Sequence, residues 1–163
     1  MTRQYSVAIV ILISMISCQS VPPSAATSST DDGQVVKEVA TQFDSLAVAV
    51  RDHNWDTVES MFAEGEDVTL GMDGTSVVGR DNIMAAFRAD NSILHYIDYR
   101  FDNTRIRPLG SDAAIHSTEF WEKLALRSGD TAEVAGTWTN AFQRISGKWR
   151  IVHMAASHRA VQP

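Results

Sequence analysis

Residues 131–158 read TAEVAGTWTNAFQRISGKWRIVHMAASH and carry the clearest strand pattern of the chain. Apolar and polar side chains alternate over two long segments, about 131–145 and 148–158, and Ser146-Gly147 separates them. An alternation with a period of two is typical of a β-strand with one buried face, and a Ser-Gly pair is a common turn signal. The stretch therefore predicts two long antiparallel strands joined by a tight turn.

Two further long segments with the same period precede these strands, at about 95–107 and 112–126. Upstream of them, Val68–Leu70 and Ser76–Val78 are short strand-like runs on either side of Asp73-Gly74. Asp-Gly between two such runs is a strong signal for a β-hairpin. The sequence thus predicts one short hairpin, followed later in the chain by a meander of four long strands.

Three helices are predicted before the long strands. Apolar side chains recur three and four residues apart over about 34–53, which indicates one buried helix face, and Asp32 is a suitable N-cap. Asn54 is a suitable N-cap for a second helix, and Arg80–Ala89 has the pattern of a third. Helices followed by an antiparallel meander are typical of an α+β domain, in which a curved sheet and its helices enclose a cavity.

The N-terminal residues predict export. Arg3, the apolar run Val7–Ile16 and Ser17 match the charged, apolar and small-residue parts of a secretory signal. The run is too short to cross a bilayer as a helix, which needs about 20 apolar residues. The only cysteine, Cys18, follows directly, and Met15-Ile16-Ser17-Cys18 resembles a bacterial lipobox.

This resemblance implies that residues 1–17 are a lipoprotein signal peptide and that the lipidated Cys18 anchors the protein to a membrane. An ordinary cleaved signal is the alternative. Gln19, where an aspartate would favour the inner membrane, indicates the outer membrane or the periplasmic face in a Gram-negative cell. Residues 18–33 are rich in Ser, Thr and Pro and predict a flexible tether, so the folded domain is expected over 34–160.

Composition excludes several classes of function. The 163 residues include 14 basic and 20 acidic side chains, for a net charge of −6. An acidic chain without a basic stripe is not expected to bind nucleic acid. The histidines lack metal-ligand spacing, and no glycine-rich cofactor loop is present in the sequence, so neither a metal nor a cofactor is expected.

Three motifs resemble the SnoaL-like, nuclear transport factor 2-like superfamily. They are Gly147–His153, His53–Asp56 and Gly79–Ile83, and the resemblance covers about residues 35–158. It implies a cone-shaped, curved antiparallel sheet packed on three N-terminal helices, a pocket between them, and a homodimer formed through the sheet. The family includes ketosteroid isomerases, polyketide cyclases, epoxide hydrolases, dehydratases and non-catalytic binders, so the fold alone does not give the function.

His153 is the first candidate for chemistry. Alternation places it on one predicted strand face with Trp149, Ile151 and Ser157. If this face lines the pocket, His153 is a general base or a hydrogen-bond donor and Ser157 is a pocket residue. The alternative is a histidine that only serves the scaffold. His158, close to the C-terminus, is expected to face water.

Segment 112–126 offers two alternating faces, and the sequence does not decide which one lines the pocket. A buried Glu119 would have a raised pKa and could act with His153 as an acid/base pair. The alternative is a solvated or dimer-face carboxylate. One face holds Ser117, Glu119 and Trp121, and the other holds His116, Thr118, Phe120 and Glu122.

Trp121 and Trp138 would suit the wall of a pocket for an apolar ligand, with plain core packing as the alternative. The leading hypothesis is an exported, lipid-anchored domain that binds a small, largely apolar molecule in a cone-shaped pocket. The first alternative is an isomerase, dehydratase or hydrolase that uses His153 and a carboxylate. In the isomerases of the family a catalytic aspartate lies where this sequence has Leu70 or Met72. The second alternative is a non-catalytic envelope interaction module.

Overall fold

A computed structural model describes residues 30–161, and this part of the chain has three helices and six strands. The helices come first and the long strands last, so the predicted α+β class is confirmed. The elements are α1 (Thr30–Arg51), α2 (Trp55–Met61), β1 (Thr69–Met72), β2 (Thr75–Val78), α3 (Arg80–Asn91), β3 (Leu94–Pro108), β4 (Ala113–Leu126), β5 (Thr131–Ile145) and β6 (Lys148–Ala160).

The six strands form one curled, unclosed sheet in the order β2-β1-β6-β5-β4-β3. Neighbouring strands are antiparallel except for β1 and β6, which run parallel. The sheet is therefore mixed, and the prediction of a wholly antiparallel sheet was wrong for this pair. The chain leaves β2 through α3 to the far edge of the sheet and returns through four antiparallel strands, so β6 reaches β1 in the same direction.

The turn between β1 and β2 is tight and consists of Asp73 and Gly74. Their φ angles are 48° and 85°, both in the left-handed region. Asp tolerates this region and Gly adopts it without steric cost, as a two-residue hairpin turn requires. The predicted hairpin is confirmed, and it leaves the Asp73 side chain at the end of β1, beside β6.

Helix α1 begins at Thr30, four residues before the predicted start of the domain. Asp31 and Asp32 lie in its first turn, where negative charge is stabilised by the positive end of the helix dipole. The last four residues of the predicted tether are therefore helical, and Asp32 is not the N-cap. The predicted signal peptide, Cys18 and residues 18–29 of the predicted tether lie outside the described residues. No helix in residues 30–161 is long and apolar enough to cross a membrane.

The core lies between α1 and the inner face of the sheet, which is the face that the helices cover. The contact side of α1 is almost fully buried. At the N-terminal half of α1, Glu38 accepts hydrogen bonds from Arg144 Nη2 at 2.6 Å and from Trp149 Nε1 at 2.8 Å. Hydrogen bonds from Gln34, Trp149 and Arg144 lower the pKa of Glu38 to about 2. An ionised carboxylate thus ties α1 to β5 and β6.

His116 is a fully buried histidine in this core. Its ring stacks on Phe43 of α1 with 3.9 Å between ring centroids, and Asn140 Nδ2 donates to its Nδ1 at 3.4 Å. In the described part of the chain, His116 Nε2 has no hydrogen-bond partner. Burial lowers the pKa of His116 from 6.5 to about 4, so the ring is neutral at pH 7.

We expect the contribution of His116 to lower the free energy of unfolding by about 3 kcal/mol as the pH falls from 6.5 to 4. Between these values the unfolded chain protonates residue 116 and the folded chain does not, so stability is lost as the pH falls. Urea unfolding at several pH values measures this slope. His116→Phe should reduce it, whereas His95→Phe, at an exposed position, should leave it unchanged. An unaltered slope in His116→Phe would contradict the assignment.

Candidate active site

A cavity of about 260 Å³ lies between the helices and the inner face of the sheet. The C-terminal half of α1, with α2 and α3, forms one side, and the long strands and the end of β1 form the other. Most of the lining side chains are apolar, which is usual for a pocket that takes a small molecule. Among the described residues, the polar exceptions in the lining are Asn91, Tyr99, Glu122 and His158.

His158 of β6 is paired with Asp73 of the β1–β2 turn. Its Nδ1 lies 2.8 Å from Asp73 Oδ2, and its backbone N–H donates to Asp73 Oδ1 at 2.8 Å. The parallel pairing of β1 with β6 brings the two residues together. The hydrogen bond from the backbone N–H of His158, more than that from its ring, lowers the pKa of Asp73. The carboxylate therefore stays ionised and can support a proton on the imidazole.

This pairing fixes the role of each ring nitrogen of His158. A carboxylate accepts hydrogen bonds, so Nδ1 carries the proton in the neutral ring and Nε2 has the free lone pair. The ring also packs edge-on against Phe120, with 5.2 Å between centroids. One hydrogen bond of the ring, one of the backbone N–H and one aromatic contact hold His158 at the cavity wall. Nε2 is thus the atom that can accept a proton from a bound molecule.

Glu122 of β4 is a buried acid that lines the same cavity, with 7% of its surface exposed. Burial raises the pKa of Glu122; the charge of His158 opposes this rise and that of Asp73 adds to it. No side chain in the described part of the chain donates a hydrogen bond to the carboxyl group. Below its raised pKa the carboxyl group is protonated and can donate a hydrogen bond to a ligand oxygen.

Tyr99 of β3 is the cross-strand partner of Glu122. Burial, and to a smaller extent the negative charge of Glu122, raises the pKa of the Tyr99 phenol. The hydroxyl therefore stays protonated and is a second hydrogen-bond donor beside Glu122. The cavity wall thus combines one base with a fixed lone pair and two neutral donors.

Gly136 of β5 lies opposite Phe120 on one side and His158 on the other. A Cβ atom at this position would lie 1.8 Å from the backbone oxygen of Ser157 and 2.8 Å from Cζ of Phe120. Only glycine lets β6 and the Phe120 ring approach β5 so closely. The position of the histidine therefore depends on a residue that does not line the cavity.

A family model described as a SnoaL-like domain matches residues 39–161. The chain belongs to this family. A search of curated proteins gives no match to the chain. The predicted membership of the SnoaL-like, nuclear transport factor 2-like superfamily is confirmed, together with its fold.

Solved structures share the SnoaL-like fold at low sequence identity. A nuclear transport factor 2-like superfamily protein from Salmonella enterica has a TM-score of 0.72 and 17% identity, covering 80% of this chain and 95% of its own. A proposed scytalone dehydratase from Novosphingobium aromaticivorans has a TM-score of 0.72 and 10% identity, covering 82% and 95%. A proposed dehydratase of the NTF2-like family from Streptomyces avermitilis has a TM-score of 0.69 and 16% identity, covering 80% and 99%.

The SnoaL-like domain does not place His153 and Ser157 in the cavity, and their predicted facing was wrong. A β-bulge at Val152 is the cause: Phe142 pairs with Ile151 and Ala141 pairs with His153, so Val152 has no partner on β5. The extra residue reverses which side chains point inward after Ile151. Both residues lie on the exposed outer face. His153 Nδ1 is 2.6 Å from Thr69 Oγ1, and Ser157 Oγ is 2.9 Å from Thr137 Oγ1.

The other predicted residues divide between the two faces of the SnoaL-like domain. Trp138 lies in the cavity wall. Glu119 is exposed on the outer face, and Trp121 lies there with Arg100 Cζ 5.5 Å from the centre of its ring. Of the two faces left open for segment 112–126, the one with Glu122 points inward. The expectation that His158 faces water was wrong, because β6 stays paired with β5 up to Ala160.

For two residues of the candidate site, the sequence contained part of the information needed to find them. Glu122 belongs to one of the two predicted faces, and Asp73 belongs to the predicted turn. Tyr99 and His158 were not singled out as pocket residues by alternation. Within residues 30–161, no group of three His, Cys, Asp or Glu side chains is placed to hold a metal ion.

Proposed function

We propose that this SnoaL-like domain binds a small, largely apolar carbonyl compound in the cavity and transfers a proton on it, as an isomerase or a dehydratase does. The observation that carries the proposal is the 2.8 Å contact between His158 Nδ1 and Asp73, in the wall that also holds the buried Glu122. A base and an acid in different environments can act on one ligand at the same pH.

In the proposed reaction, His158 Nε2 removes a proton from the carbon next to the carbonyl group. The electron pair of that C–H bond moves to form an enolate, and its oxygen accepts hydrogen bonds from Glu122 and Tyr99. The ionised Asp73 stabilises the imidazolium that forms. Both charges that develop, the negative charge on the enolate oxygen and the positive charge on the imidazolium, therefore face groups that are already in place.

The enolate has two outcomes that need no further reactant. If the imidazolium returns its proton to a different carbon of a conjugated ligand, the product is an isomer. If a hydroxyl group lies on the β-carbon, that group leaves as water after taking the proton, and a double bond remains. Two of the structural neighbours are described as proposed dehydratases, which supports the second outcome.

Deuterium exchange tests the first step without the natural substrate. The full chain is incubated with 2-octanone in D2O, and mass spectrometry follows exchange of the hydrogens next to the carbonyl. Glu122→Met should lower the catalysed rate by roughly 10²- to 10³-fold, because one donor to the developing oxyanion is lost. Glu119→Met is the matched control on the outer face and should keep the wild-type rate.

The pH dependence of the exchange rate is a second test of the role of Glu122. Glu122 is protonated below its raised pKa, so exchange should decrease as the pH rises through that pKa and the donor ionises. Glu122→Gln cannot ionise and should lose this decrease. No catalysed exchange in the wild type, or equal rates in Glu122→Met and Glu119→Met, would overturn the proposal.

Two features beyond the cavity belong to the same proposal. The lipobox supports anchoring of the exported protein to a membrane through Cys18, which labelling with a lipid analogue tests against Cys18→Ala. The outer face of the sheet, which no described helix covers, supports a homodimer, which sedimentation analysis tests.

A further inference from the structure

One wall of the cavity is a row of three cross-strand pairs between β3 and β4, which is regular on β4 and interrupted on β3 by a β-bulge between Leu94 and Tyr96. Successive inward side chains on a strand are two residues apart, and pairs on neighbouring strands lie side by side. The β4 side of the row is therefore continuous along the strand direction. Its three pairs are Tyr99 with Glu122, Ile97 with Leu124, and Leu94 with Leu126.

The row changes from polar to aliphatic along its length. The first pair holds the two proposed donors, and the second and third pairs are wholly aliphatic. Glu122 and Leu126 are four residues apart on β4, which corresponds to about 13 Å along the strand. A ligand whose carbonyl group lies at Glu122 thus meets only aliphatic side chains along this wall.

The aliphatic end of the row reaches the protein surface. Glu122 is buried, Leu124 and Leu126 are half-buried, and Ile93 lines the cavity with 59% of its surface exposed. We call this open end, at Ile93, the mouth of the cavity. Arg127 holds the backbone there, because its N–H donates to the carbonyl oxygen of Ile93 and its Nε donates to that of Ser92, both at 2.9 Å. The cavity is thus open where its wall is least polar.

Within the described lining, the polar side chain nearest the mouth is already paired. Asn91 is the one polar side chain of the lining near Ile93 among the described residues, and its Nδ2 already donates to the carbonyl oxygen of Phe87 at 2.9 Å. The polar contacts of the lining are therefore concentrated at the end with Glu122 and His158. This distribution suits a ligand that is polar at one end only.

We propose that the ligand carries an unbranched aliphatic chain of about eight to ten carbons, which extends from its carbonyl group along this row to Ile93. An extended chain advances by roughly 1.25 Å per carbon, so about ten carbons span the 13 Å of the row. The inference takes the position of the carbonyl group from the proposed function and adds the class of substrate, a medium-chain aliphatic ketone or acyl compound.

A series of 2-alkanones from 2-pentanone to 2-tridecanone tests the chain, with binding to the full chain measured by calorimetry. Affinity should increase about fourfold for each added methylene while the chain lies in the cavity. The increase should stop when the chain end passes Ile93. 1-Tetralone, a bicyclic ketone with ten carbons, should bind more weakly than 2-decanone.

One tryptophan substitution locates the end of the row, and a second one serves as its control. Leu126→Trp fills the mouth side of the wall and should stop the increase two or three carbons earlier. Leu109→Trp is the matched control, because Leu109 is 54% exposed in the turn between β3 and β4 and does not line the cavity. It should leave the whole series unchanged.

The outcomes separate this inference from the proposed function. Affinity that does not depend on chain length, tighter binding of 1-tetralone, or an unchanged end point in Leu126→Trp would overturn the aliphatic chain. Binding that follows the series without any catalysed deuterium exchange would overturn the proton transfer and leave the ligand class standing. Glu122→Met should weaken every member of the series by a similar factor and keep the fourfold increment.

Discussion

Replacement of His158 by alanine is expected to lower the catalysed deuterium exchange of 2-octanone by roughly 10²- to 10⁴-fold. The imidazole is the proposed base, and its lone pair is fixed by the 2.8 Å contact with Asp73. Exchange is measured in the full chain as for the Glu122 variants. The matched control is His153→Ala, which removes the same side chain five residues earlier in β6, on the outer face.

A loss of rate could also follow from a change in the fold around residue 158, and added imidazole distinguishes the two causes. In His158→Ala the space of the ring is free, so imidazole from solution should restore part of the exchange. The wild type and His153→Ala should not respond. Full activity in His158→Ala, or loss of activity in His153→Ala, would show that the base lies elsewhere.

Gly136→Ala is expected to lower the free energy of unfolding by about 3 kcal/mol, and the Tm by roughly 10 °C. The added Cβ would lie 1.8 Å from the backbone oxygen of Ser157, and a backbone atom cannot rotate out of the way. Strand β6 must therefore move away from β5, and His158 moves with it. Thermal and urea unfolding measure the loss, and the exchange rate should decrease in parallel.

Gly71→Ala is the matched control for this substitution. Gly71 also lies in a strand of the sheet, but a Cβ there would meet only the Cβ of Ala155, at an ordinary distance of 3.9 Å. The variant should unfold within about 1 kcal/mol of the wild type. Similar stabilities of the two variants would mean that β6 can shift at Gly136 without cost, contrary to the close packing described above.

Periodicity in the sequence predicted the helices and strands well, because most of their side chains face either the core or water. The four long strands start and end within three residues of the predicted limits, and Asn54 caps α2 as predicted, accepting a hydrogen bond from the N–H of Thr57 at 3.1 Å. The parallel pairing of β1 with β6 could not be predicted in this way, because it joins strands about 80 residues apart and leaves no local pattern.

The site was harder to predict than the fold because Val152, which has no partner on β5, determines which side chains of β6 point inward. In residues 149–157 the apolar positions change from Trp149 and Ile151 to Val152 and Met154, and this break in the alternation marks the bulge at Val152. Alternation continued from Trp149 past this point predicts His153 on the inner face and gives no reason to place His158 there. Alternation places Glu122 on one of the two faces of β4 but does not show which face is buried. That depends on the helices that pack over the sheet.

The place of Asp73 in a two-residue turn suggests how relatives of this domain could gain or lose catalytic activity. The carboxylate that orients His158 lies on a two-residue turn, outside the core and 49% exposed. An insertion or deletion in that turn would move the carboxylate away from the imidazole and leave the cavity, its row of aliphatic pairs and its donors in place. A change of one loop, without any change in the packed interior, would thus convert the proposed catalyst into a carrier of the proposed ligand.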